Sequence, residues 1–280
     1  MESDLIATLQ CKDQPGIVHA VTSSILRGKG NIIENQQFTD PVTQTFVMRT
    51  RFESPESLDL ASAGLHESLA EFNPDLRIRN SRSPKRALVM VTKESHCLRD
   101  LLYLLELGEL PIEIPLVASN HDELQSLVES YGIAFHHLPI KGSDKSSQEK
   151  MLRELIEQHS IDFLVLARYM QILTADFCQE FSDRIINIHH SFLPGFKGAR
   201  PYHQAHAKGV KIIGATAHFV TSNLDEGPII EQDVAHVTHA SSPEDLISIG
   251  RDIERRVLAK AVRLYAEDKI FIVGNRTIIF

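Results

Sequence analysis

The sequence predicts an α/β protein in two parts: a small ferredoxin-like unit of order βαββαβ, then a larger Rossmann-like unit on a mostly parallel sheet. Three observations carry this. Between Ala87 and His189, short apolar and often β-branched runs alternate with helical segments, the rhythm of a parallel sheet covered on both faces. From Leu5 to Arg79 the rhythm differs, with two adjacent strands set between two helices. Between these stretches, Asn80-Ser81-Arg82-Ser83-Pro84-Lys85 is polar, basic and interrupted by a proline, as linkers are. Domains are therefore expected at 1–83 and 84–280.

Leu5–Cys11 reads as the first strand, closed by the turn-forming Asp13-Gln14-Pro15-Gly16. Ile17, Val18, Val21, Ile25 and Leu26 recur at helical spacing, and Gly28 and Gly30 stop that helix. Strands follow at 31–36 and 45–52, then a helix near 57–72 and a short strand at 76–79. In the second part, strands are expected at 87–92, 114–119, 135–140, 163–167 and 185–189. Helices near 96–107, 121–131, 146–159 and 174–181 separate them. Strands at 211–221 and 228–237, a helix over 243–268, and a hairpin turning at Gly274-Asn275 complete the chain.

Composition narrows the function. A net charge of -8 argues against a general nucleic-acid binder. No apolar run approaches the ~20 residues of a membrane span. The N-terminus lacks the features of a signal peptide. Cys11, Cys97 and Cys178 are odd in number and far apart, which disfavours a disulfide framework or a zinc site and fits a reduced, cytoplasmic setting.

The most informative run is Asn187-Ile188-His189-His190-Ser191-Phe192-Leu193-Pro194-Gly195. Asn187 and His189 fall where a strand ends, the edge at which parallel sheets bind ligands. Residues i and i+2 of an extended segment share a side, so an amide and an imidazole face one way, while His190 is expected to point the other. Downstream, Asp225-Glu226-Gly227-Pro228 is strong turn chemistry that holds Asp225 on a bend. A carboxylate beside an imidazole orients it and stabilises its charged form. Acyl transfer or hydrolysis needs an oxyanion donor and a proton carrier, which these three groups can supply. From chemistry alone a structural and a catalytic reading stand side by side.

Asn187-Ile188-His189 with Ser191 and Leu193-Pro194, and Leu224-Asp225 with Gly227-Pro228-Ile229-Ile230, resemble the signature of the folate-dependent formyltransferase family over about residues 85–270. The resemblance implies that Asn187 polarises the formyl oxygen, His189 assists and handles protons, and Asp225 positions water or shuttles protons. Which of His189 and Asp225 is the general base stays open. It also implies that Tyr169, Met170, Gln171, Ile172 and Leu173 offer a backbone edge to the pterin ring. Val220, Thr221 and Leu224 would close its other side, with His218 near the same pocket. Lys197 and Arg200 could attract the glutamate tail of folate. No cofactor and no metal is implied, folate being the substrate.

Family members that formylate glycinamide ribonucleotide carry a glycine-rich loop after the first strand, which cradles the acceptor phosphate. Here the stretch is Val91-Thr92-Lys93-Glu94-Ser95-His96-Cys97-Leu98, without glycine and with an acidic residue. Close backbone approach to an anion is disfavoured. Asp13-Gln14-Pro15-Gly16-Ile17-Val18 and Gly28-x-Gly30-Asn31-Ile32 resemble an ACT domain, whose ligand would sit near Asp13, Pro15, Gly16, Gly30, Asn31 and Ile32. An ACT domain before a formyltransferase-like domain is similar to the formyltetrahydrofolate deformylase family. That implies hydrolysis of 10-formyltetrahydrofolate to tetrahydrofolate and formate, supplying purine synthesis and balancing one-carbon pools. Glycine and methionine are the effectors it suggests, and a homodimer or homotetramer the assembly. The alternatives are a formyltransferase to an amine acceptor such as glycinamide ribonucleotide, and a non-catalytic folate-binding regulator.

Overall fold

Alternating burial along β1 (Ser3–Lys12) sends Leu5, Ala7 and Leu9 to one face of a sheet. There they meet Ile17, Val21 and Ile25 of α1 (Ile17–Arg27). The structure, a computed structural model, describes residues 3–139, 145–195 and 201–280. Gly16 caps the start of α1 at φ 101°, a left-handed value that glycine tolerates without cost. Past the helix, a Cβ on Gly30 would lie 2.8 Å from Ile25 Cγ2 and 2.9 Å from the Glu53 carbonyl oxygen. Only glycine lets β2 (Asn31–Asp40) begin this close to the helix end. β3 (Thr45–Ser54) adds Phe46, Met48 and Phe52 to the core. α2 (Leu58–Ser68), capped by the Ser57 hydroxyl on the Leu60 N–H, adds Ala61 and Leu65. After β4 (Asp75–Asn80), the antiparallel sheet reads β2-β3-β1-β4.

The second unit is a seven-stranded sheet. In chain order it contains β5 (Lys85–Val91), α3 (His96–Glu106), β6 (Ile112–Ser119), α4 (Gln125–Ser130), β7 (Ala134–His137), α5 (Lys145–Gln158), β8 (Phe163–Leu166), α6 (Ala175–Glu180), β9 (Ile185–His189), α7 (Pro201–Ala207), β10 (Ile212–Phe219), β11 (Ile229–His236) and α8 (Pro243–Ala266). The order is β11-β10-β9-β8-β5-β6-β7. β5 to β9 run parallel, and β10 and β11 are antiparallel additions. The strand order reverses beside β5, so a ligand crevice is expected at the carboxyl ends of β5 and β8. Register sets Asn187 opposite His218 and His189 opposite Thr216. Two elements differ from expectation. The strand expected to reach Ile140 ends at His137, Ile140 lying outside the described residues, and α7 carries no strong helical signal. Among the described residues, no helix is long and apolar enough to cross a membrane.

The C-terminal hairpin, β12 (Ile270–Val273) and β13 (Arg276–Ile279), corrects the expected division of the chain. The sequence reading gives everything from residue 84 to 280 to the second domain. The compact units are instead Met1–Pro84 with Glu267–Phe280, and Lys85–Ala266. The reason lies in β3, which is buried on both faces. Val47 points away from the helices and is covered by Phe271 and Val273. Arg49 Nε donates to the Glu267 carbonyl at 2.9 Å, Gln10 Nε2 to that of Ile272 at 3.0 Å, and Arg276 to Asp40 at 2.5 Å.

Candidate active site

His189, the last residue of β9, and Asp225, in the loop between β10 and β11, approach to 3.2 Å between Nδ1 and Oδ1. The bend that delivers Asp225 is built tightly. Asp225 is left-handed at φ 56°, which Asp tolerates better than most residues. A Cβ on Gly227 would fall 1.8 Å from the Phe219 carbonyl oxygen, so the loop returns against β10 only with glycine there. Burial alone would raise the Asp225 carboxyl. The hydrogen bond from His189, with the neighbouring imidazoles, outweighs it and holds the group below its ordinary value. Asp225 therefore accepts from Nδ1–H, and the lone pair of the neutral ring belongs to Nε2. That Nε2 is buried and has no hydrogen-bond partner among the described residues.

Asn187 is aimed by His218. The amide Nδ2 lies 3.1 Å from His218 Nε2, and His218 Nδ1 lies 2.8 Å from the Phe219 carbonyl. A carbonyl only accepts, so His218 carries its proton on Nδ1 and receives the Asn187 N–H on Nε2. Burial, its largest influence, lowers the His218 pKa and keeps the ring neutral for this role. One Asn187 N–H is thus spent on orientation and the second is left for a ligand. Asp225 Oδ1 stands 3.8 Å from the same His218 Nε2, so the four groups form one constellation.

They open on a cavity of about 280 Å³, whose walls include Tyr169 to Leu173, Asn187 to His190, His218 and Val220 to Asp225. The residues expected at the catalytic positions and around the pterin ring all line it. Its rim is apolar and open to solvent: Met170 is 55%, Ile172 57% and Leu224 59% exposed, a surface that suits a flat heterocycle. The 169–173 segment is fixed from below. Met170 N–H donates to Thr92 Oγ1, Lys145 Nζ to the Ile172 carbonyl, and Thr174 N–H to buried Glu149. The Met170 N–H is therefore spent within the protein. The Tyr169 side chain belongs to the core, its hydroxyl directed at Gln148.

His190 departs from expectation. The extended segment ends at His189, so strict alternation fails, and His190 lines the same cavity with its ring 5.3 Å from that of His189. Burial, then the charge of Arg168, pushes its pKa down to about 4, so it stays neutral. Arg168 and Glu254 were not anticipated either. Glu254, on α8 and 1% exposed, receives His96 Nε2 at 2.8 Å and the Tyr202 hydroxyl at 2.6 Å, and lies 3.5 Å from Arg168 Nε. His96, Cys97 and Glu254 bring donor atoms within 4.8 Å of one another. Yet Glu254 is already engaged, a guanidinium faces it, and burial raises the Cys97 thiol well above its ordinary value. That donor set does not suit a divalent cation. Lys197 and Arg200 lie outside the described residues.

The six residues expected to hold a regulatory ligand are not gathered in one place. Asp13, Pro15 and Gly16 precede α1, whereas Gly30, Asn31 and Ile32 follow it. The eleven-residue helix between them spans about 16 Å at 1.5 Å per residue.

The sequence profile of the formyl transferase family matches residues 85–262. A formyltetrahydrofolate deformylase of Corynebacterium sp. (strain P-1) is 47% identical over 277 residues, 98% of this chain and 97% of the relative. The chain belongs to the formyltetrahydrofolate deformylase family. A crystal structure of a family member from Pseudomonas syringae pv. tomato superposes with a TM-score of 0.97 at 41% identity, covering 100% of this chain and 95% of that one. A glycinamide ribonucleotide transformylase from Symbiobacterium toebii gives 0.67 at 30% identity, covering 94% of its own chain but 70% of this one. Likeness to the deformylases runs end to end, whereas likeness to the transformylase covers only part of the chain.

Proposed function

We propose that the cavity binds 10-formyltetrahydrofolate and that water attacks its formyl group, giving tetrahydrofolate and formate. The protein acts as a formyltetrahydrofolate deformylase, a hydrolase of a linear amide C–N bond. The His189–Asp225 pair beside Asn187, in the wall of the cavity of about 280 Å³, carries this reading. Asp225 holds the Nδ1 proton, so Nε2 can take a proton from water as its oxygen bonds to the formyl carbon. The second Asn187 N–H and the newly protonated His189 stabilise the oxyanion. His189 then returns the proton to N10 as the C–N10 bond breaks. The steps use no metal. Formate release from 10-formyltetrahydrofolate, without an amine and with a chelator present, tests the reading. Sustained release supports it. Turnover only when an amine acceptor is added would make the protein a transferase, and binding without turnover a regulator.

The first unit has the ferredoxin-like βαββαβ order, and its two glycine turns support an ACT domain that senses an amino acid, with glycine and methionine as candidates. A small ligand that touches both turns needs two copies of the chain, since α1 separates them within one. This favours a homodimer or homotetramer in the cytoplasm, with regulated formate output feeding purine synthesis and balancing one-carbon pools. Equilibrium dialysis with each amino acid, with sedimentation at matched concentrations, tests both parts.

A further inference from the structure

We propose that Glu254 is a positioning residue that keeps the nucleophile's space the size of water: through Tyr202 it pins His190 as a partition between the cavity that holds Asn187, His189 and Asp225 and an apolar cavity behind it. The inference rests on the hydrolytic reading above.

The second cavity, of about 210 Å³, is walled by His190, Phe192, Tyr202, Val210, Ile213 and Gly214 among others. His190 is the residue that lines both cavities. One side of its ring faces His189 at 5.3 Å, and Tyr202 backs it at 6.3 Å. Whatever holds Tyr202 therefore holds the partition.

Two separate features of α8 are shaped to the Tyr202 phenol. A Cβ on Gly250 would fall 2.2 Å from Tyr202 Cζ and Oη, so the helix is cut away where the ring lies. One turn on, Glu254 accepts the hydroxyl at 2.6 Å, a short bond to a charged acceptor. The carboxylate stays charged although buried. Burial pushes its pKa up, but the His96 hydrogen bond, the Arg168 charge and the Tyr202 hydroxyl bring it below its ordinary value. Arg168 also leads into the folate-lining segment and lines the first cavity. It is left-handed at φ 65°, a conformation a non-glycine residue holds only when its surroundings fix it. Its Nε lies 3.5 Å from Glu254 Oε2, a charge contact rather than a hydrogen bond.

The consequence concerns which nucleophile reaches the formyl carbon. Water and an amine attack by the same route and differ in size. The walls of the second cavity offer water few hydrogen-bond partners, so with His190 in place the attacking water is held on the His189 side, where the polar groups are. With His190 released, the two cavities join and an amine fits.

The test uses the whole protein with Tyr202→Phe, which keeps the ring and loses the bond, and Gly250→Ala, which keeps the bond partners and crowds the ring. Formate is measured alone and then with hydroxylamine. In the second reaction the amine nitrogen bonds to the formyl carbon, the C–N10 bond breaks, and the proton the amine loses ends on N10, giving formohydroxamate and tetrahydrofolate. We expect KM for the folate within about twofold of wild type, hydrolytic kcat down by about tenfold, and enzyme-dependent formohydroxamate from the variants alone. Unchanged kcat without formohydroxamate in either variant overturns the proposal, as does wild type forming formohydroxamate as readily as the variants. Wild type releasing no formate at all would instead remove the hydrolytic reading on which the proposal stands. Glu254→Gln is a third variant, and an unfolded product there leaves the other two decisive.

Discussion

Asn187 donates to His218 Nε2 at 3.1 Å, so the amide that faces the cavity is aimed by a histidine on the neighbouring antiparallel strand. The bond fixes which face of the amide is free. Asn187→Ala should lower kcat for formate release by about 10²–10³-fold with a normal melting temperature. His218→Phe fills the same space and leaves the amide unaimed. A loss of about 10–100-fold is expected, the range seen when an outer partner that orients a reacting group is removed. A His218→Phe rate equal to wild type would show that the bond is incidental.

Asp225→Asn should separate charge from shape. The carboxylate accepts the Nδ1 proton of His189. An amide nitrogen in its place donates instead and drives the proton to Nε2, where the reaction needs a lone pair. A fall in kcat of about 10²–10⁴-fold is expected, with folate binding by fluorescence titration little changed.

His190 gives stability a defined pH dependence. An unfolded imidazole takes a proton near pH 6.5, whereas in the fold burial, with Arg168 nearby, pushes that pKa down to about 4. Between those values the unfolded state binds the additional proton, so stability rises with pH. The contribution is complete above about pH 6.5 and is lost as pH falls toward 4. At about 1.4 kcal/mol per pH unit its upper limit lies at about 3–4 kcal/mol. Urea midpoints near pH 5 and pH 7.5 should differ more for wild type than for His190→Phe, and equal differences would contradict this.

Gly227→Ala should cost both stability and activity. The added carbon meets the Phe219 carbonyl at 1.8 Å, backbone against backbone, so the loop carrying Asp225 must move. A loss of about 1–3 kcal/mol is expected, as for other overpacked sites, and kcat should fall with it. A thermal melt and a formate assay on one preparation check both.

Asn187 and His189 were legible because a strand end at a parallel sheet edge is a place where side chains meet ligands, and Asp225 because its turn chemistry is local. His190 was not, because strict alternation holds only while the backbone stays extended, and β9 ends one residue earlier. Glu254 was hidden by its helix. It lies in the buried stripe of α8 between Ile253 and Val257, and a carboxylate in an amphipathic helix is assigned by default to the wet face. Its three partners come from positions 96, 168 and 202, which no local period connects. The second burial face of β3 was visible as Val47 within an apolar run, yet nothing local says that Phe271 and Val273 cover it.

That covering sets an order of construction. A chain made from its N-terminus releases β3 from the ribosome well before residues 267–280 exist, and the whole second unit is synthesised in between. Until then Val47 has no apolar cover and Arg49 lacks the Glu267 carbonyl. The first unit is thus begun first and finished last. A message truncated anywhere within the second unit yields a first unit with one bare face, which exposes the unfinished chain to chaperones and proteases.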